Sequence, residues 1–285
     1  MTDWWYNMNQ PLVDKMAEAC STLKLSGLFR GYQAIADECA KDGVSYTDYL
    51  KRLLDYELEC RAHNGRQTVL KMAGFPTLKT LEMFDFKESA VNKAQITELA
   101  TLRFIANAEN VILLGSSRTG KTHLAISLGY LATQQRYRVR FFTAADLLLQ
   151  LEVASSQNRL EQYLSKVIAG SRLLIIDEFG YVKLNEAQAN LFFQLVNKRY
   201  KTGAIIITSN LIFTKWQEVL NNDEALTAAI LDMLIHHSHI INVQGNSYRL
   251  KQKRKAGTFG YSNILILHAF YHIQQCSSSG IFAYQ

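Results

Sequence analysis

The sequence predicts an α/β fold: a parallel five-stranded sheet between helices, preceded by a small all-helical N-terminal domain. Three observations predict it. Apolar runs and helix-period stretches alternate from about residue 110 onward, the pattern of a parallel sheet covered on both faces. The run Val111–Leu114 stops at Gly115, and Gly120, Lys121 and Thr122 complete the spacing G-x-x-x-x-G-K-[ST] before a helical pattern starts. A second run, Leu173–Ile176, leads straight into Asp177 and Glu178.

A chain of 285 residues accommodates one large domain or two modest ones, each with its own core. Its formal net charge of +6 suits an anionic partner such as nucleic acid without identifying one. Cys20, Cys39, Cys60 and Cys276 are scattered, with no C-x-x-C spacing and no histidines placed as co-ligands, so reduced thiols are expected and a metal centre is not. Met1-Thr-Asp-Trp-Trp-Tyr6 lacks the basic and apolar regions of a secretion signal. The apolar run Ile264–Ile273 is interrupted by histidines and too short to span a bilayer. A cytoplasmic protein with no membrane contact is the expectation.

Helical spacing puts Leu28, Tyr32, Ile35, Ala36 and Cys39 on one face. Ser45-Tyr46-Thr47-Asp48 has the form of a capping box opening a second helix through Leu50, Leu53, Leu54 and Leu58. Lys51, Arg52, Arg61, Arg66 and Lys71 decorate this region, either as a solvated face or as one that meets DNA. These segments delimit a helical domain over 1–72. Residues 73–93 carry Gly74 and Pro76 without a sustained period and read as a connection whose aromatics pack on the next domain. A helix over Ala94–Ala108 opens the domain at 94–256. Strands follow at Val111–Leu114, Val139–Thr143, Leu173–Ile176, Ala204–Thr208 and Ile240–Val243. Helices are expected at Lys121–Gln135, Ala144–Leu151, Glu161–Ile168, Glu186–Lys201 and Ala225–His236, and 257–285 forms an atypical tail.

The glycine-bounded loop is a P-loop by its spacing. A strand ending in such a loop turns successive backbone N–H groups inward, and the helix behind it adds its positive N-terminal end, giving a cradle for phosphates. Lys121 would reach the β- and γ-phosphates and Thr122 would ligate Mg²⁺. Arg118, a long side chain in this loop, either contacts phosphate or points to solvent. Asp177 would hold Mg²⁺ through water and Glu178 would polarise the water attacking the γ-phosphate, the Walker B arrangement. Asn210, after Ile205–Thr208, is either a turn or capping residue or an amide that orients the water.

Together Asn110–Leu124, Tyr137–Leu147, Leu173–Tyr181, Thr208-Ser209-Asn210 and Gly245–Leu250 resemble the IstB-type helper ATPases of bacterial insertion sequences. Phe75–Glu82 and Glu98–Leu102 are similar to the same family, so the resemblance covers roughly residues 20–256. It implies an AAA+ ATPase, related to DnaC-type helicase loaders, that uses ATP and Mg²⁺ and multimerises on double-stranded DNA. There it assists the transposase of the same element. By matching positions the resemblance implies nucleotide binding by Gly115, Ser116, Ser117, Arg118, Thr119, Gly120, Lys121, Thr122 and His123. It likewise implies metal binding by Thr122 and Asp177, and catalytic parts for Lys121, Glu178 and Asn210 as sensor.

Three departures from the family are visible. Its loop usually reads Gly-x-Pro-Gly-Thr-Gly-Lys-Thr, whereas here Ser116-Ser117-Arg118 precede Thr119-Gly120. Met233 stands where the family carries an arginine after the aspartate, a candidate for the residue reaching a neighbouring subunit's γ-phosphate. The chain also continues past its basic stretch Arg249, Lys251, Lys253, Arg254 and Lys255, which is either a DNA-backbone contact or a solvated terminus. A DnaC-like helicase loader and a hydrolysis-impaired, nucleotide-gated DNA-binding scaffold are the alternatives. A P-loop kinase is disfavoured because no phosphoacceptor-binding signature accompanies Asp177-Glu178.

Overall fold

The computed structural model describes residues 2–244. The motif Gly245–Leu250, the basic cluster Arg249–Lys255, Cys276 and the tail 257–285 lie outside the described residues. Two compact units emerge: one holds the chain to Ala73 with Thr133–Tyr137, the other Gly74–Ala132 and the chain from Arg138.

In the first unit the helices are α1 (Thr2–Thr22), α2 (Ser26–Asp42) and α3 (Tyr46–Ala73). Gly43 ends α2 in the left-handed conformation that glycine adopts without a Cβ penalty. Ser45 starts α3 as the sequence predicts: its Oγ accepts from the Asp48 N–H at 3.2 Å and donates to Asp48 Oδ2 at 2.7 Å. Gly27 and Gly31 let α2 lie close on α3, since a Cβ at Gly31 would sit 2.5 Å from the Tyr56 ring. The buried Glu57 carboxylate locks this pair of helices. It accepts from the Leu28 N–H at 2.7 Å and from Arg61 Nε at 2.6 Å.

The second unit is built on a sheet of order β2-β3-β4-β1-β5, every pair parallel. Its strands are β1 (Asn110–Leu114), β2 (Val139–Thr143), β3 (Leu173–Phe179), β4 (Ala204–Ser209) and β5 (Ser238–Asn242). The central strands β1 and β4 are buried along their whole length, as expected of apolar runs covered on both faces. Around them lie α4 (Lys93–Leu99), α5 (Arg103–Ala106), α6 (Lys121–Gln134), α7 (Ala144–Ser156), α8 (Leu160–Tyr163), α9 (Glu186–Arg199), α10 (Trp216–Val219) and α11 (Glu224–Ile235). One core joins Leu147, Leu148 and Leu151 of α7 and Phe192, Leu195 and Val196 of α9 to the inner strands. Phe179, closing β3, stacks on Phe192 with centroids 5.0 Å apart and tilts against Trp216 at 4.4 Å. This aromatic cluster clamps the strand end that carries the acids.

The fold class matches the expectation, and strand bounds differ by one to three residues, as helix and strand ends ordinarily do. Two expected helices are corrected. The continuous helix expected over Ala94–Ala108 is α4 and α5 with a turn at Leu102, whose φ is 63°. Leu99, Leu102, Phe104 and Ile105 are all buried, and they point to different sides of a straight helix, so the turn is what buries all four. The second half of the helix expected over Glu161–Ile168 is a wider π turn, Leu164–Ile168. Among the described residues no helix is long and apolar enough to cross a membrane, and no cluster of His, Cys, Asp and Glu is placed to hold a metal.

The Glu57 lock makes the helical unit pH-dependent. Burial alone would raise the carboxyl, but the Arg61 guanidinium and the Leu28 N–H outweigh it and hold Glu57 below its usual range. A group whose folded pKa is depressed stabilises above its unfolded pKa and loses that contribution as pH falls towards the folded value. Thermal unfolding of the full chain between neutral pH and pH 4 is therefore expected to show a falling N-terminal transition. In Glu57→Gln that transition should start lower and vary less with pH; equal slopes in the two proteins would exclude Glu57 as the source.

Candidate functional site

Between β1 and α6 the loop Gly115–Gly120 sits at the carboxyl end of the sheet, where parallel α/β folds place ligands. Gly115 has φ 150° and a Cβ there would lie 2.1 Å from the Val243 carbonyl oxygen, so only glycine fits. Thr119 is buried and its Oγ1 donates to the Ser116 carbonyl at 2.9 Å, stiffening the loop. The Lys121 ammonium crosses back over the loop and donates to the carbonyls of Gly115 and Ser116, both at 2.7 Å. Burial lowers the Lys121 pKa while the charges of Asp177 and Glu178 pull it back up, so lysine and acids share one electrostatic site.

The acids come from β3, and the register of the sheet places them. Ile176 pairs with Ile207, but the next pairing is Phe179 with Ser209, so Asp177 and Glu178 together oppose the single residue Thr208. This is a bulge, and it sends the two side chains to different environments. Asp177, 4% exposed, accepts at Oδ1 from Thr122 Oγ1 at 2.9 Å and from Thr208 Oγ1. Glu178 adopts φ 61° and is exposed, and its N–H donates to Thr208 Oγ1 at 3.0 Å. Thr208 thus relays a hydrogen bond from the Glu178 backbone to the Asp177 carboxylate. Asn210, just past β4, keeps its Oδ1 buried with no protein partner.

These residues line one cavity of about 860 Å³, a volume in the range of ligand pockets. Ser117, Arg118, Thr119, Gly120, Lys121, Thr122, His123, Asp177, Glu178 and Asn210 all face it; Gly115 and Ser116 are not in its lining. His123 turns to the flank formed by the segment after Ala73, with Nε2 2.9 Å from the Thr80 carbonyl and its ring edge-on to Phe84 at 5.3 Å. Burial, opposed by the hydrogen bond to the Thr80 carbonyl and aided by the charge of Lys79, lowers the His123 pKa. At the opposite flank the Tyr181 hydroxyl donates to Ser117 Oγ at 3.1 Å.

Sequence reasoning missed Thr208, Phe84 and Tyr181 as site residues. Thr208 was legible as the first polar residue after three isoleucines; Phe84 lies in a stretch without period, and only the fold brings it to the loop. Met233 belongs elsewhere. It lines a smaller cavity of about 330 Å³, with Asn110, Arg199 and His237, at the ends of β1 and β4 remote from the loop.

The donor set fits a magnesium nucleotide. A buried carboxylate with two adjacent hydroxyls offers the hard oxygen ligands that Mg²⁺ takes. Comparison with known proteins points to ATP. Residues 18–256 match the family described as IstB-like ATP binding protein. A protein of Pseudomonas aeruginosa named for ATP binding in insertion sequence IS21 is 43% identical over 238 residues, 83% of this chain and 89% of its own length. One from Geobacillus stearothermophilus, named for ATP binding in insertion sequence IS5376, is 40% identical over 242 residues, 85% of this chain and 96% of its own. Among solved structures, AMPPCP-bound DnaA from Aquifex aeolicus superposes with a TM-score of 0.50 at 20% identity, over 66% of this chain and 57% of that one. At that identity the likeness concerns the fold alone. The chain belongs to the IstB-like ATP-binding protein family of insertion sequences.

Proposed function

We propose that the chain hydrolyses ATP and, with nucleotide bound, multimerises on double-stranded DNA to assist the transposase of its own insertion sequence. The observation that carries the hydrolytic part is the paired placement of Asp177 and Glu178: one carboxylate buried between the Thr122 and Thr208 hydroxyls, the next exposed in the same cavity as Lys121. Lys121 would leave the Gly115 and Ser116 carbonyls for the β- and γ-phosphates, and Thr122 and Asp177 would hold Mg²⁺. The bound ion supplies neutralisation of phosphate charge. Glu178 accepts the proton of the attacking water as its oxygen bonds to the γ-phosphorus. The bond from that phosphorus to the β–γ bridging oxygen breaks, and its electron pair stays on the bridging oxygen. Asn210 is suited to orient the water, because its free Oδ1 accepts a hydrogen bond without breaking another. DNA binding is supported by the net charge of +6 and by the insertion-sequence relatives.

A second reading, a nucleotide-gated scaffold with impaired turnover, is favoured by Met233. An uncharged side chain there supplies no cation to a neighbouring active site.

Steady-state hydrolysis with and without duplex DNA separates the two. DNA-stimulated turnover is expected, with Glu178→Gln reducing it about 100-fold or more while leaving nucleotide binding intact. A folded protein that binds ATP and DNA without turnover supports the scaffold. Replacing Lys121 by Ala is expected to weaken nucleotide binding at least tenfold, measured by calorimetry. Unchanged affinity would remove the loop from the nucleotide site.

A further inference from the structure

We propose that Arg118 is a catalytic residue that supplies, from within its own subunit, a second cation to the phosphate end of the cavity. The inference rests on the ATP-hydrolase reading and deepens it. Arg118 has φ 67°, a left-handed backbone conformation costly for a side-chain-bearing residue. Lys24, Arg136 and Lys201 share that conformation; Arg118 differs from them in lining the cavity, at the crest of its loop.

Its placement indicates a role for the side chain. The preceding residue, Ser117, is tied to Tyr181, which follows Glu178 by three positions, so the crest of the loop is held beside the acids. His123, at the other flank, is tied to Thr80 and Phe84. Arg118 is exposed, faces the cavity and forms no ion pair among the described residues, leaving its guanidinium available. The remaining lysine of the lining, Lys79, lowers the His123 pKa by its charge and so stands at the far flank. Met233 lines the other cavity.

The chemistry needs such a group. While the water oxygen bonds to the γ-phosphorus and its proton passes to Glu178, the bond to the β–γ bridging oxygen breaks with its electron pair, and the charge on the γ-phosphoryl oxygens, which ADP lacks, calls for a second cation. Lys121 offers one compact ammonium; the planar guanidinium offers a fork of N–H donors that matches phosphate oxygens two at a time.

The test uses the full chain and its Arg118→Gly and Arg118→Lys variants, with Mg²⁺, ATP and ADP. Arg118→Gly is expected to raise Tm by about 2–4 °C through relief of strain, to lower kcat at least tenfold and to leave ADP affinity within twofold. Arg118→Lys should fall between. In a Glu178→Gln background, where nothing turns over, Arg118→Gly should cut the preference for ATP over ADP at least fivefold. A merely structural arginine would move Tm without moving that ratio. Turnover by Arg118→Gly equal to or faster than that of the natural chain overturns the proposal and keeps the hydrolase reading. Binding of ATP with no turnover in either protein overturns the hydrolase reading and the proposal with it.

Discussion

A single carboxylate, Asp177, fixes the geometry on which the cavity depends. It takes hydrogen bonds from hydroxyls at the start of α6 and near the end of β4, so three elements far apart in sequence meet at one buried charge. Removing one partner from such a group costs more than the hydrogen bond itself, because a desolvated charge is then left underpaired. The bulge that creates the arrangement has its own support. The Glu178 N–H, which an ordinary ladder would use, is met by Thr208 Oγ1, and the Ser209 hydroxyl donates to the Phe179 carbonyl at 2.7 Å. Threonine and serine at the end of β4 thus satisfy polar groups that the irregular register frees.

Much of this fold was legible because buried parallel strands read as unbroken apolar runs. Val111–Leu114, Leu173–Ile176 and Ile205–Ile207 have no other use for four or three consecutive β-branched and aliphatic residues. The edge strand β5 was read late, at Ile240, because its opening residues Ser238 and His239 are polar and half-buried, with His239 paired to Glu109 at 2.9 Å. The break at Leu102 carries no local sign at all: neither glycine nor proline marks it, and a leucine takes the left-handed conformation because tertiary burial outweighs backbone preference. The site divides the same way. Lys121, Thr122, Asp177 and Glu178 were visible through spacing. The relay through Thr208 depends on a register shift, and the Phe84–His123 contact on a segment without period.

The two ends of the sheet have opposite electrostatic designs. At the carboxyl ends of the strands a buried anion faces an open cavity; at the other end Arg199, 1% exposed, binds backbone carbonyls of Ile168, Ser171, Arg172 and Ala204. Burial draws its pKa down to about 10, still far enough above neutrality to keep it charged. Asn110 closes the same end, its amide donating to the Leu234 carbonyl and accepting from the Ile205 N–H, both at 3.0 Å. Here polar side chains are used in holding backbone together, although the Arg199 Nε–H stays buried without a partner among the described residues. At the cavity end Asn210 Oδ1, Arg118 and Glu178 retain hydrogen-bonding capacity.

Left-handed residues occur at both ends of the sheet, with Ala108 and Lys201 at the Arg199 end and Glu178 and Arg118 at the cavity. Glu178 and Arg118 both adopt positive φ beside the cavity, yet their circumstances differ. At Glu178 the surrounding structure over-determines the conformation: the bulge register, the Thr208 hydroxyl and the aromatic packing of Phe179 all require it. At Arg118 the loop needs a left-handed residue, but nothing in the loop needs that residue to carry a side chain, since glycine would adopt the conformation without cost. The strain at Glu178 is therefore explained by the fold, whereas Arg118 brings to the cavity, along with its strain, a guanidinium with no ion pair among the described residues. A left-handed arginine beside a charged, solvent-open site is stable enough to persist when the cost, on the order of 1–2 kcal/mol, is small against the total stability of a domain this size.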